Sequence, residues 1–240
     1  MIFALLYDLV KLALIVAGLY FAFGAYARQR PSPWTHALGR RHLAILATLV
    51  LVVSAIKVSE DVIAGESGPI DRAILVFVHD LVPVEFNAFF ELVTWTGSAT
   101  ALSVLTTLAC AALLLAGRRF EALLLAGSGV SSGLVIYALK AAVGRSRPDL
   151  WDSAWYWGSS FPSGHTLAVA AFSTAAVLGV VRTRPQARAV ALALAILWIV
   201  LVALSRLVLG VHWPTDVLAA ACIGALLPLA LSLGLEFRAA

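Results

Sequence analysis

The chain is poor in charge. Only 12% of its 240 residues are Asp, Glu, Lys or Arg, where an average soluble domain has roughly a quarter. Thirty charged side chains cannot coat a globule of 25.4 kDa, which excludes a soluble enzyme. A hydrophobic share of 62% and a mean hydropathy of +0.96 exclude a disordered chain. Cysteine is scarce too. Cys110 and Cys222 lie in separate apolar segments with no CxxC or Cys/His spacing, so they read as small core residues rather than a disulfide or metal pair. There is no low-complexity tract, no internal repeat and no long basic run. The net charge of +4 therefore points to membrane orientation, with no nucleic-acid partner.

What is present is apolar sequence in long runs. Crossing ~30 Å of hydrocarbon takes ~20 residues at 1.5 Å each. Seven segments approach that length: 9–27, 42–59, 98–117, 120–139, 164–181, 188–205 and 215–235. The expected fold class is all-α, a polytopic membrane helix bundle of about seven spans. The first run closes in Ala25-Tyr26-Ala27, similar to a signal-peptidase site. It opens, however, with the apolar stretch Met1 to Leu6 and carries Asp8 and Lys11, so it is read as an anchor helix.

Charge alternates between the loops. Arg28, Arg30, Arg40, Arg41, Arg118, Arg119, Arg182, Arg184, Arg188 and Arg238 fall on one side, ten of the seventeen basic residues. The opposite side holds Glu60, Asp61, Glu66, Asp71, Asp80, Glu85, Glu91, Asp149, Asp152 and Asp216. By the positive-inside rule the arginine side is cytoplasmic, placing the N-terminus outside and the C-terminus inside. The longest outer connection, 60–97, is too polar to span and is expected as one or two short interfacial helices. Trp95, Trp151, Trp155, Trp157 and Trp213 fall on the same side, as an aromatic belt or, less favoured, as the lining of a lipid groove.

Three polar clusters interrupt the apolar pattern, all on the outer side. They are Lys140 to Pro148, Pro162-Ser163-Gly164-His165, and Ser205-Arg206 through His212 to Asp216. Lys140, Arg147 and Arg206 are suited to several oxygens of one phosphoryl group. Ser163 is placed to cap the helix that follows, and Gly164 leaves its first-turn N–H groups open to an anion. Pro214 is placed to open the last helix. Asp216, four residues after His212, can reach Nδ1 of that ring and leave Nε2 as a nucleophile. His165 is then the candidate proton donor to the leaving oxygen. Singly, a histidine or an Arg-Pro at a helix end is as often structural. Three such clusters on one membrane face are much harder to explain that way.

The clusters KxxxxxxRP, PSGH and SRxxxxxHxxxD together resemble the signature of the type-2 phosphatidic acid phosphatase (lipid phosphate phosphatase) superfamily, matched at all eleven specified positions. The resemblance runs from about residue 42 to 235. It implies a six-helix core in 42–240, with 1–41 as an additional anchor helix and cytoplasmic loop. It further implies His212 as the nucleophile forming a phosphohistidine, Asp216 as its orienting partner and His165 as general acid. Lys140, Arg147, Ser163, Gly164 and Arg206 become the phosphate cradle. Family members work without metal or other cofactor, and the scattered outer carboxylates suit no metal cluster. Arg145, outside the signature, is a candidate contact for a second phosphate.

The expected function is hydrolysis of a terminal lipid phosphate at the outer face of a bacterial inner membrane. Undecaprenyl diphosphate stands slightly ahead of phosphatidic acid, phosphatidylglycerophosphate and lipid A phosphates. The partners implied are the lipid substrate and the bilayer. A lipid phosphotransferase using the same phosphohistidine is the alternative. A haloperoxidase would share the constellation but not the seven spans. A membrane transporter would instead place charges at mid-membrane and interrupt its helices.

Overall fold

The computed structural model describes residues 2–29, 42–151 and 158–239, and every regular element among them is helical. Arg30, His36, Arg40, Arg41, Asp152, Trp155 and Trp157 lie outside the described residues. In chain order the helices are α1 (Ile2–Gln29), α2 (His42–Ala64), α3 (Gly68–Leu81), α4 (Asn87–Thr96), α5 (Ala99–Leu115), α6 (Arg119–Val143), α7 (Gly164–Thr183), α8 (Arg188–Val208) and α9 (Pro214–Ala239). One-turn 3₁₀ helices, Val84–Phe86 and Pro185–Ala187, lead into α4 and α8.

All seven expected apolar segments are helical, but they are not equal. Among the described residues, α6, α7, Pro185–Val208 and Pro214–Glu236 are long and apolar enough to cross a membrane. α5 has 17 residues and α1 has 28. At 1.5 Å per residue α5 reaches about 25 Å, short of the ~30 Å hydrocarbon layer. α2 has 23 residues and carries Lys57, Glu60 and Asp61 near its end, with Lys57 bonded to Asp61 one turn on.

The acidic outer connection forms two short helices, as its polarity required. α3 stops where Pro83 holds Val82 extended (φ −102, ψ 111). The chain then turns through 92° into the Val84–Thr96 stretch. α4 packs on α8, and α3 touches both α8 and α9, so the bent pair sits over one end of the bundle.

α7 is the central helix, packed by α5, α6, α8 and α9. Its Leu167, Val169, Ala170 and Ala171 are fully buried. Small residues let the backbones approach closely. At the α7–α9 crossing, a Cβ on Gly224 would lie 2.3 Å from the carbonyl oxygen of Leu167. α9 also packs on α2 and α6, and α1 lies against α2. α8 is different in kind. Val190, Leu192, Leu194, Ile196 and Leu197 are exposed, as lipid contact requires, yet its last turn, Ser205 to Val208, is buried. Both cysteines are free, Cys222 buried and Cys110 half-buried.

Candidate active site

The three clusters come from four helix ends. Lys140 stands in the last turn of α6 and Arg206 in the last turn of α8; His165 lies in the first turn of α7 and Asp216 in the first turn of α9. An up-and-down bundle brings those ends to one side. A backbone bond from the Ser163 N–H to the Asp216 carbonyl, 3.2 Å, ties the starts of α7 and α9 together.

Beyond α6, Gly144 adopts a left-handed conformation (φ 62, ψ 23), which ends the helix and turns the chain back under the bundle end. Arg147 then reaches the third cluster. Its Nη1 donates to the Val211 carbonyl at 2.8 Å and lies 3.3 Å from Nε2 of His212. Its Nε donates to the Gly158 carbonyl at 3.2 Å. Lys140 donates to the Ser159 carbonyl. Arg206 is 1% exposed, and its Nη1 donates to the Thr94 hydroxyl at 2.6 Å.

Ser163 occupies the N-cap position with extended backbone, but its hydroxyl pairs with that of Thr166 at 3.1 Å and caps no backbone N–H. Gly164 opens the helix and His165 follows, half-buried, within electrostatic reach of Arg206, His212, Lys140 and Arg147. Pro214 is the first residue of α9, as expected.

His212 is 2% exposed and Asp216 fully buried. Nδ1 of His212 faces Oδ2 of Asp216 at 3.5 Å, longer than a formed hydrogen bond. A guanidinium only donates, so Nε2, the nitrogen facing Arg147, presents its lone pair and Nδ1 carries the proton. Burial is the main reason that the His212 imidazole is pushed down to about 4; the Arg206 and Arg147 charges add to this and Asp216 opposes it. The ring is therefore neutral at physiological pH, the form a nucleophile requires.

Arg145 does not lie where the second-phosphate expectation put it. Its Nη1 donates to Asp216 Oδ1 at 2.6 Å and to the Thr215 hydroxyl at 2.9 Å. Nη2 donates to Asp71 Oδ2 at 2.6 Å and to the Ser67 hydroxyl at 2.9 Å. Both terminal nitrogens are committed to protein acceptors behind Asp216. The ground for ranking a diphosphate first is thereby removed. Asp71, Ser67, Thr215 and Thr94 were all missed by sequence reasoning. Asp71 stood out only as one of ten outer-side acids.

Two cavities border His165. One, of about 1000 Å³, includes Asp80, Asn87, Glu91, Trp95 and Trp151 in its walls, with His79 stacked on Trp151 at 4.0 Å. Trp95 and Trp151 thus take the less favoured role of groove lining, and Trp213 donates from its indole to the Ser146 carbonyl. The other cavity, of about 570 Å³, is mostly apolar and runs between α5, α6 and α7 along Gly129, Gly133, Ile136, Ala168 and Phe172. Among the described residues, no group of three His, Cys, Asp or Glu side chains gathers as a metal site.

Residues 121–238 match the family model described as the PAP2 superfamily. A lipid A 1-phosphatase of Rhizobium johnstonii is 38% identical over 106 residues, 40% of this chain and 40% of that protein. Phosphatidylglycerophosphatase B of Escherichia coli is 41% identical over 66 residues, 28% of this chain and 25% of that protein. The matched stretches thus span well under half the length of either relative. A transmembrane PAP2-type phosphatidylglycerolphosphate phosphatase from Bacillus subtilis has the same fold, with a TM-score of 0.71 at 24% identity over 80% of this chain and 96% of that one.

Proposed function

We propose that this chain, which belongs to the PAP2 superfamily through residues 121–238, removes the phosphate from a membrane lipid through a phosphohistidine on His212. The observation that carries the reading is the facing of His212. Its Nε2 lies 3.3 Å from Arg147 and its Nδ1 is turned toward Asp216. A phosphoryl group drawn to Lys140, Arg147 and Arg206 would meet the ring lone pair there.

The steps follow from these positions. The phosphate charge, arriving among Lys140, Arg147 and Arg206, holds a proton on His165. Nε2 of His212 attacks phosphorus as the lipid–oxygen bond to phosphorus breaks, and His165 passes its proton to the departing oxygen. The imidazole becomes a cation, opposed by Asp216. Water then attacks the phosphohistidine, gives its proton to His165, and frees phosphate with His212 neutral again. Ser163 and Gly164 present the first turn of α7 to the phosphoryl oxygens. None of these steps calls on a metal ion.

The substrate follows from the walls beside His165. The apolar groove between α5 and α7 suits hydrocarbon, and the wider cavity, with Asp80, Asn87 and Glu91, suits hydroxyl groups on the leaving side. Carboxylates there repel a second phosphate. A lipid monophosphate with a polyol or sugar next to the phosphate is therefore favoured, in keeping with the names of both relatives. We assign catalysis to residues 42–240, with α1 as an accessory anchor, and place the site on the outer face from the arginine distribution.

The test is phosphate release by the purified protein in detergent, with EDTA present, from phosphatidylglycerophosphate, phosphatidic acid, a lipid A 1-phosphate and undecaprenyl diphosphate. Acid-labile phosphoprotein should accumulate on rapid quenching and vanish, with turnover, in His212→Ala. Robust release by that variant refutes the mechanism; a strong preference for the diphosphate refutes the substrate reading.

A further inference from the structure

Behind Asp216 lies a buried charge arrangement that phosphate binding does not explain. Asp71 is fully buried on the first turn of α3. Its Oδ1 accepts the Thr215 N–H at 2.9 Å, and its Oδ2 accepts the Thr215 hydroxyl at 2.7 Å and Arg145 Nη2 at 2.6 Å. Arg145, from the turn after α6, thus stands between two carboxylates, Asp71 on one side and Asp216 on the other. Each oxygen of Asp216 has its own task. Oδ1 accepts Arg145, while Oδ2 accepts the Trp213 N–H at 2.9 Å and faces His212.

A guanidinium clamped on Asp216 alone would fix the carboxylate but neutralise it, leaving little charge to oppose an imidazolium on His212. A second carboxylate on the far side of the guanidinium changes the sum. Two negative groups and one positive group leave one net negative charge. Burial makes that charge count, because buried pairs are weakly screened.

We propose that Arg145 and Asp71 are positioning residues for the nucleophile: Arg145 holds Asp216 with Oδ2 toward His212, and Asp71 offsets Arg145 so that Asp216 keeps its charge for the phosphorylated ring. The inference rests on the reading of His212 as nucleophile. It touches neither the phosphate nor the leaving group, so it predicts a loss in kcat with KM preserved.

The experiment uses the full chain in detergent micelles, with phosphatidic acid as assay substrate and orthovanadate as phosphate mimic. Arg145→Gln should lower kcat about a hundredfold, as expected for a misplaced catalytic group. KM and vanadate inhibition should stay within about threefold, because the cradle is untouched. Asp71→Asn, which keeps Arg145, should lower kcat about tenfold through the charge alone. The double variant removes both uncompensated charges and leaves two amides able to bond each other. Because it restores one net negative charge but not the guanidinium's hold on Asp216, its loss should stay near that of Arg145→Gln and well short of the product of the two single losses, which contacting residues permit and independent ones do not. Should Arg145→Gln fail to fold, Asp71→Asn and the double variant still decide.

Full kcat in Asp71→Asn would overturn the proposal, as would double-variant losses that multiply. A vanadate affinity lost in step with kcat would return Arg145 to the phosphate contacts. A wild-type protein that releases no phosphate, or an active His212→Ala, would instead strike the underlying reading.

Discussion

Replacing Gly224 by alanine should disable the site from a distance. The residue lies on α9, two turns beyond Asp216, where the helix crosses α7. The added Cβ would fall 2.3 Å from the Leu167 carbonyl oxygen, 3.1 Å from its carbon and 2.9 Å from Ala170 Cβ. A carbon and a carbonyl oxygen rest at about 3.3 Å or more, so the helices must part by about 1 Å. The obstacle is backbone, with no flexible side chain to swing aside. Leu167 is two residues from His165 and one turn beyond Ser163, whose N–H holds the Asp216 carbonyl two turns back along α9. The separation therefore acts close to the site. Overpacking of this kind costs about 1–3 kcal/mol, and a misplacement of about 1 Å costs about a hundredfold in rate. In detergent, Gly224→Ala should lower Tm by about 4–8 °C and kcat/KM by about two orders of magnitude. Gly127→Ala, whose Cβ meets Leu231 at an ordinary 3.6 Å between α6 and α9, is the control and should behave as wild type. Wild-type turnover and melting in Gly224→Ala would refute the claim that the α7–α9 spacing sets the site.

Four further measurements bear on the site and its orientation. With His212 held near 4 against an ordinary 6.5, kcat/KM should stay level as pH falls through 6.5 and drop only near pH 4. The folded value lies below the unfolded one, so the stability tied to neutral His212 is complete above pH 6.5 and is lost as pH falls from 6.5 through 4. Acid melts of wild type against His212→Ala measure it, and equal acid sensitivity would refute it. Asp80→Asn with Glu91→Gln should raise kcat/KM for a diphosphate lipid by about tenfold relative to a monophosphate, since each carboxylate repels the second phosphate. An unchanged ratio removes these residues from substrate choice. Finally, in a protein lacking Cys110 and Cys222, a cysteine at Gln186 should resist an impermeant thiol reagent in intact cells and one at Glu85 should react; the reverse pattern inverts the topology.

Much of this molecule was legible in its sequence because so much of it is local. Long apolar runs give helices whatever surrounds them, and Pro214 marks a helix start at its own position. The three clusters were readable for the same reason: each occupies a helix end, and an up-and-down bundle gathers such ends. Ser163 was only half legible. Its N-cap position was, but its hydroxyl turned to Thr166 instead of the backbone. Arg145 was misread because its direction depends on a left-handed Gly144 and on Asp71, 74 residues away, neither visible as a local pattern. The 92° bend between α3 and α4 and the Thr94 hydroxyl under Arg206 are likewise settled by packing between distant segments.

The bond between Thr94 and Arg206 links two parts of the molecule with different work to do. Thr94 belongs to α4, which walls the large cavity beside His165, while Arg206 belongs to the phosphate cradle proposed above. At 2.6 Å the contact has no slack, so a shift of α4 by about an ångström parts it. α8 offers little resistance elsewhere, being exposed along most of its length and anchored at its buried last turn. A change in the width of that cavity at α4 would therefore be felt at the Arg206 guanidinium through this bond.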